Sequence, residues 1–274
     1  MRRTFAEVLR EGKIEIEDEY RELYRLVYFP PSSSCPLRSI IKSVFRYFPF
    51  RGTCVDLFDF DRKYGFQVET MPETVDEECL VTFSEYYYNF IVALEKLQRE
   101  RDDIPPVDEI YKNQIDAIVE ELGYMKVQDE DGIITFVVKD PGAVAVAESE
   151  IIPQSLSYRV LEYNHHSWKG NIEKKKQALL MFAEILEPQR AELQSISKEL
   201  CDDVFFAFNN MNIRHNNIAQ STPSKYRKVI AMMEAEEMEK WYDEVYQMCL
   251  LACLELANVE RKNKFSQFKE QMLR

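Results

Sequence analysis

The segment from Asn209 to Asn217 holds the side chains of this 274-residue chain that are best suited to chemistry on a phosphate group. Its sequence is NNMNIRHNN, and it contains Arg214 and His215, which is one of only three histidines. Arginine can donate two parallel hydrogen bonds to phosphate oxygens, and asparagine amides can donate more. Histidine can accept a proton near neutral pH, as activation of a ribose hydroxyl requires. The segment therefore predicts metal-independent cleavage of RNA.

The distribution of charge points to the same part of the chain. Residues 1–150 carry 18 Lys and Arg against 31 Asp and Glu, whereas residues 151–274 carry 17 of each. No acidic residue lies between Asp203 and Glu234, and this window contains Arg214, Lys225, Arg227 and Lys228. A polyanion would be repelled by the first half and tolerated in the window. An ordinary loop that happens to lack acidic residues would give the same distribution.

In the RNA-cleaving interpretation, each of these residues has a specific role. Arg214 would hold the scissile phosphate and His215 would be the candidate base. The remaining RNA-binding residues would be Asn209, Asn210, Asn216, Lys225, Arg227 and Lys228. In the other interpretation, the asparagines cap helix ends while Arg214 and His215 pair with main-chain carbonyls. The sequence leaves both interpretations open.

Two further clusters are weaker candidates for metal binding. Asp56 and Asp59 are neighbours on a helix but Asp61 is not, which favours a solvated face over a magnesium site. Cys249 and Cys253 lie four residues apart near an apolar stripe without further ligands, which favours core positions over a zinc site. We therefore expect neither a metal nor a cofactor.

Helical periodicity dominates the chain. Apolar spacing predicts helices over residues 15–29, 37–45, 53–64, 73–101 and 106–122, with Thr53 as a helix cap. From Asn171 to Phe208 the stripe continues, which predicts one long helix kinked at Pro188. A last helix from about Glu234 to the end of the sequence would bury Trp241. The candidate site would lie where the long helix ends.

In one stretch of the chain, the pattern of apolar residues changes from helical spacing to that of β-strands. Residues 132–139 and 143–147 are rich in strand-forming residues and flank Asp140-Pro141-Gly142, which predicts a central β-hairpin. The predicted fold is mainly α. It consists of an acidic helical amino-terminal domain over residues 1–125, the hairpin insertion over residues 126–154, and a carboxy-terminal helical bundle over residues 155–274.

The run from Tyr163 to Asn217 carries a family resemblance. It contains His165-His166, then Trp168-Lys169-Gly170, KKKQALLMFAEILEPQ, and NNMNIRHNN. It is similar to the helical carboxy-terminal part of bacterial abortive-infection proteins, which belong to the HEPN group, over roughly residues 155–274. The resemblance implies a HEPN-like bundle, a homodimer, and a metal-independent endoribonuclease acting on RNA in phage defence.

The sequence departs from that group's pattern at one point. The group places a histidine four to six residues after its arginine. Here His215 follows Arg214 directly, and no further histidine lies downstream of His215. This leaves open an inactive relative or a rearranged site. The alternative function is a non-catalytic interaction or sensing module, whose acidic first half binds a basic protein partner.

Composition favours a cytoplasmic protein without membrane association. The sequence is 46% apolar, but no apolar run approaches the roughly 20 residues that cross a bilayer. Met1 to Arg10 has basic residues without an apolar core, which predicts no secretory signal. Six scattered cysteines are typical of reduced, mostly buried thiols in the cytosol.

Overall fold

The structure, a computed structural model, describes residues 14–30 and 35–273. These residues are mainly helical and include a small two-stranded sheet, as predicted. The chain divides into two compact units: Met1–Lys126 with Gly132–Phe136, and Val127–Asp131 with Val137–Arg274. The prediction for Met1 to Arg10 lies outside the described residues.

The first unit is helical and rich in aromatic side chains. Its helices are α1 (Ile16–Tyr28), α2 (Leu37–Val44), α3 (Leu57–Tyr64), α4 (Glu77–Glu100) and α5 (Ile110–Glu121). Helix α4 is central to the core, where its Phe83, Tyr87 and Phe90 are buried. The helical spacing of apolar residues in the sequence therefore predicted the first and last residues of these helices to within a few residues.

Aspartates fix where two of these helices begin. The Oδ1 atom of Asp56 accepts from the Asp59 backbone N at 2.8 Å, and Oδ1 of Asp76 accepts from the Cys79 backbone N at 2.8 Å. Such caps satisfy donors that have no partner within the first helical turn. Helix α3 consequently starts after Asp56, and the predicted cap at Thr53 was wrong.

The sheet pairs different segments from those predicted. Strand β2 (Ile134–Val138) lies in the expected place, but its partner is β1 (Tyr124–Gln128). The segment predicted as the second strand is helix α6 (Pro141–Ala147). Its Asp140 cap accepts from the backbone N of Gly142 and of Ala143, and proline suits the first helical position. The alternating AVAVA run was too short to distinguish the two periods.

Side chains of α4 satisfy backbone groups of β2. The Asn89 side chain accepts from Ile134 N at 2.8 Å and donates to Ile134 O at 2.7 Å, as a neighbouring strand would. The Glu85 Oε2 atom accepts from Phe136 N at 2.7 Å. These bonds attach residues 134–136, the part of β2 that belongs to the first unit, to α4.

The second unit is a helical bundle. Its other helices are α7 (Gln154–Glu162), α8 (Ile172–Leu186), α9 (Arg190–Ile196), α10 (Lys198–Asn210), α11 (Lys228–Ala231) and α12 (Ala235–Met272). Helix α12 packs against α8, α10, α6 and α9. Its bounds agree with the predicted last helix.

The single kinked helix predicted from Asn171 to Phe208 was wrong. Pro188 lies in a 3-10 turn, Glu187–Gln189, that separates α8 from α9. A second break occurs at Ser197, whose φ of −143° and ψ of 89° are not helical. Proline removes a helical hydrogen bond and crowds the preceding turn, so the segment folds back into three helices that share one core.

The buried face of α12 does not include Trp241. Trp241 is 48% exposed, whereas its neighbour Tyr242 is fully buried and donates to Met211 O at 3.1 Å. The core side chains of this helix are Met238, Tyr242, Val245, Tyr246, Cys249, Leu250, Ala252, Cys253 and Leu256. The prediction that Trp241 is buried was therefore wrong.

Four of the six cysteines are buried, in agreement with the prediction of mostly buried thiols. Cys54, Cys201, Cys249 and Cys253 are buried, and burial raises the pKa of the Cys253 thiol to about 12. Within residues 14–30 and 35–273, no helix combines the length and the hydropathy that crossing a bilayer requires.

Candidate functional site

The asparagine-rich segment begins on the last turn of α10. The Nδ2 atom of Asn209 donates to Phe205 O at 2.8 Å, and that of Asn210 donates to Phe206 O at 2.9 Å. Both amides thus bond to carbonyls one turn earlier. These donors, which the sequence assigned to RNA, are engaged at the end of the helix.

Asn217 closes the loop that follows. Its side chain is fully buried, and its Nδ2 donates to Asn209 O at 3.1 Å and to Lys225 O at 2.7 Å. Its Oδ1 accepts from the backbone N of Asn212 at 2.8 Å, where Asn212 has the left-handed φ of 60° that asparagine tolerates. Sequence reasoning did not select Asn217, because nothing in NNMNIRHNN distinguishes it from its neighbours.

Arg214 connects this loop to the carboxyl end of α8. Its NH2 atom donates to Ala183 O at 2.6 Å, and its guanidinium forms an ion pair with Glu187. The same guanidinium lies over the rings of Phe205 and Phe208, 5.5 and 5.4 Å from their centroids. A cation beside the last carbonyls of a helix is favourable. Arg214 therefore has the main-chain partner that the second sequence interpretation gave it.

The remaining predicted residues separate into two groups. The Nε atom of Arg227 donates to Asn210 Oδ1 at 2.7 Å, and Asn216 Oδ1 accepts from Ala219 N at 3.0 Å. Lys225 and Lys228 have exposed side chains, and His215 is half-buried beside Arg214. The structure thus brings Asn210 and Arg227 together and directs Arg214 towards α8. The catalytic roles of Arg214 and His215 stay predictions.

A buried lysine that the sequence gave no reason to select lies elsewhere in the second unit. The Nζ atom of Lys175 is 2.7 Å from Glu239 Oε1 and 2.7 Å from Asp243 Oδ1. The Tyr163 hydroxyl donates to Asp243 Oδ1 at 2.9 Å, and Gly170 N donates to Glu239 Oε1 at 2.8 Å. Lys175 occurs within a KKK run that resembles a solvated face, so no local signal marks it.

The pKa of Glu239 yields a pH prediction. Burial raises this pKa, but the hydrogen bonds from Lys175 and Gly170 outweigh burial, so the pKa lies below its ordinary value of 4.5. A depressed pKa stabilises the fold above pH 4.5, and this contribution disappears as the pH falls through the folded-state pKa. We expect the wild type to lose more stability than Glu239→Gln between pH 6 and about pH 3, as measured by urea unfolding. Parallel losses would contradict this role.

A polar cleft of about 670 Å³ lies near the same helices. Its charged lining includes Arg159, Glu162 and Lys174, together with the acidic run Asp129 to Asp131. Burial raises the pKa of Glu162, although Lys174 opposes the shift. Because acidic and basic groups are mixed around it, the cleft selects neither an anion nor a cation.

In the first unit, a buried ion pair corrects the prediction for the aspartate cluster. Arg38 donates to Asp61 Oδ2, to Tyr86 OH at 2.6 Å and to Glu69 Oε1 at 3.0 Å. The Tyr86 hydroxyl donates to Asp61 Oδ1 at 2.6 Å. Asp61 is therefore buried and not on a solvated face, because a distant arginine compensates its charge. Burial raises the pKa of Asp61, whereas the bonds from Tyr86 and Arg38 lower it.

An aromatic pocket of about 540 Å³ opens in the first unit. Phe60, Phe90 and Tyr86 are buried in its wall, and Tyr64 is half-exposed at its edge. The other lining residues are Phe50, Phe66, Thr82, Glu85, Asn89 and Ile133. Glu85 is the acidic residue of this lining. The pocket can accept an apolar or cationic side chain.

Across the part of the chain that the structure describes, no three His, Cys, Asp or Glu side chains are grouped to hold a metal ion. Comparison with protein-family models, curated proteins and solved structures found no match to this chain.

Proposed function

We propose that this chain is a non-catalytic protein-interaction module of an abortive-infection system. In this proposal its first unit binds a basic segment of another protein. The observation that carries the proposal is the engagement of Arg214 by Ala183 O and Glu187. The arginine that RNA cleavage would require already serves to connect a loop to α8.

Recruiting Arg214 to a phosphate has a cost. The guanidinium would have to leave the Glu187 carboxylate and Ala183 O, which keeps its helical bond from the Glu187 backbone N. A hydrogen bond that involves a charged group contributes about 1.5–3 kcal/mol, and this contribution would be lost. The carboxylate of Glu187 would then lie beside the bound phosphate and repel it. Both effects weigh against a phosphate ligand at this position.

The pocket in the first unit supports a basic partner. A Lys or Arg side chain entering it would meet aromatic faces and the negative charge of Glu85. An aromatic or aliphatic side chain would gain from the apolar wall. Residues 1–126 carry 25 acidic and 17 basic residues, so the first unit would attract a basic segment from a distance.

Peptide binding tests this proposal. The probe is a short fluorescent peptide of Lys and Arg residues around one central Phe, and binding is followed by fluorescence anisotropy. We expect Tyr64→Ala to weaken binding at least about fivefold, because it removes part of the pocket edge. The matched control is Phe58→Ala, an exposed aromatic residue on the same helix α3 that does not line the pocket.

Two altered peptides complete the test. Replacing the Phe by Ser, or the basic residues by Glu, should each weaken binding. Equal binding of the acidic peptide would overturn the proposal, as would equal losses in Tyr64→Ala and Phe58→Ala.

A further inference from the structure

The carboxy-terminal part of α12 carries a second apolar face. Leu251, Phe265, Phe268 and Met272 are 49%, 56%, 53% and 71% exposed. With Leu254, Asn258 and Arg261 they recur at alternating spacings of three and four residues. We call these seven residues the α12 seam. A spacing that averages 3.5 residues is the pattern by which two helices pair along their length.

The seam is not an extension of the core-facing stripe. Successive residues on a helix turn by about 100°, which places the seam roughly 140° from the stripe of Tyr242, Cys249 and Leu256. Beyond residue 260 the core-facing positions become polar, as at Asn263 and Gln267. From residue 261 to 273 the helix is exposed on all sides. The Phe265 and Phe268 rings contact each other, with centroids 6.4 Å apart, and no other described element covers them, whereas Leu254 packs partly against the core of the second unit.

The distribution of charge along α12 indicates that the partner of the α12 seam is a second copy of this chain. Residues 235–255 of α12 carry six acidic residues and one lysine, whereas residues 261–274 carry five basic residues and one glutamate. Antiparallel pairing places the basic end of each helix beside the acidic part of the other. Parallel pairing would place basic beside basic.

The register follows from the seam itself. We propose that two copies of α12 pair antiparallel, with Leu251 of each copy against Phe268 of the other, and Leu254 against Phe265. Asn258 of each copy then meets Arg261 of the other, and this polar layer at the centre fixes the alignment. Glu255 lies opposite Lys262 at the flank. Parallel alignment would instead oppose Arg261 to Arg261.

This dimer is independent of the proposed function, because it uses neither the aromatic pocket nor Arg214. Its test is the oligomeric state of the full chain by analytical ultracentrifugation. We expect the wild type to be dimeric at about 50 µM and Phe268→Asp to weaken dimerisation at least about tenfold. The matched control is Gln267→Asp, which places the same charge on the adjacent position, outside the seam, and should leave the dimer intact.

Crosslinking tests the orientation. One preparation carries Leu254→Cys and a differently tagged one carries Phe265→Cys; the two are mixed, oxidised, and mapped by mass spectrometry. Antiparallel pairing predicts a disulfide between the two substituted positions. A monomeric wild type at this concentration, equal effects of Phe268→Asp and Gln267→Asp, or a 254-to-254 disulfide would overturn the proposal.

Discussion

Arg38→Met is expected to lower the free energy of unfolding by about 3–5 kcal/mol, because it leaves the Asp61 carboxylate buried without its cation. Arg38 and Asp61 are both buried, and Tyr86 and Glu69 share the same guanidinium. Removing the charge leaves several polar atoms without compensation. Urea unfolding followed by circular dichroism measures the loss, and hydrogen exchange should show reduced protection of α4 amides.

The neighbouring ion pair on α3 is a matched control for Arg38. Arg62 bonds to Asp59, but its side chain is 71% exposed, so Arg62→Met should cost no more than about 1 kcal/mol. A double variant, Arg38→Met with Asp61→Leu, should recover part of the loss, because no unpaired charge then remains buried. Equal effects of Arg38→Met and Arg62→Met would contradict the account of this cluster.

Asn217→Ala is expected to cost about 3 kcal/mol or more, because three backbone groups lose their hydrogen-bond partner in a buried loop. These groups are Asn209 O, Lys225 O and Asn212 N. Both tryptophans, Trp168 and Trp241, belong to the second unit. Urea unfolding followed by tryptophan fluorescence therefore reports on the unit in which the change is made.

The adjacent residue provides the control for Asn217. Asn216 is exposed and accepts a single bond, from Ala219 N, so Asn216→Ala should cost about 1 kcal/mol or less. If the two substitutions reduced stability equally, Asn217 would not be the residue that closes the loop.

The sequence predicted the helices better than their junctions. The apolar spacing of α4 and α12 extends over many turns, so their type and extent followed from periodicity. Helix α6 is seven residues long, and its Val and Ala residues suit a strand as well as a helix. There the Asp140 cap decided the outcome, and a five-residue alternation could not reveal it.

The candidate site was less predictable, because its residues act through distant partners. Arg214 bonds to Ala183, 31 residues earlier, and Asp61 bonds to Arg38, 23 residues earlier. Whether an arginine faces solvent or a carbonyl depends on how helices fold back at Pro188 and Ser197, and periodicity does not fix that geometry.

Incubation of the purified chain with transfer RNA in EDTA tests most directly whether Arg214 is structural. We expect intact RNA with the wild type, with Arg214→Ala and with His215→Ala, and a lower free energy of unfolding for Arg214→Ala alone. Cleavage by the wild type that is lost in both variants, while both remain folded, would contradict the account and establish the RNA-cleaving role.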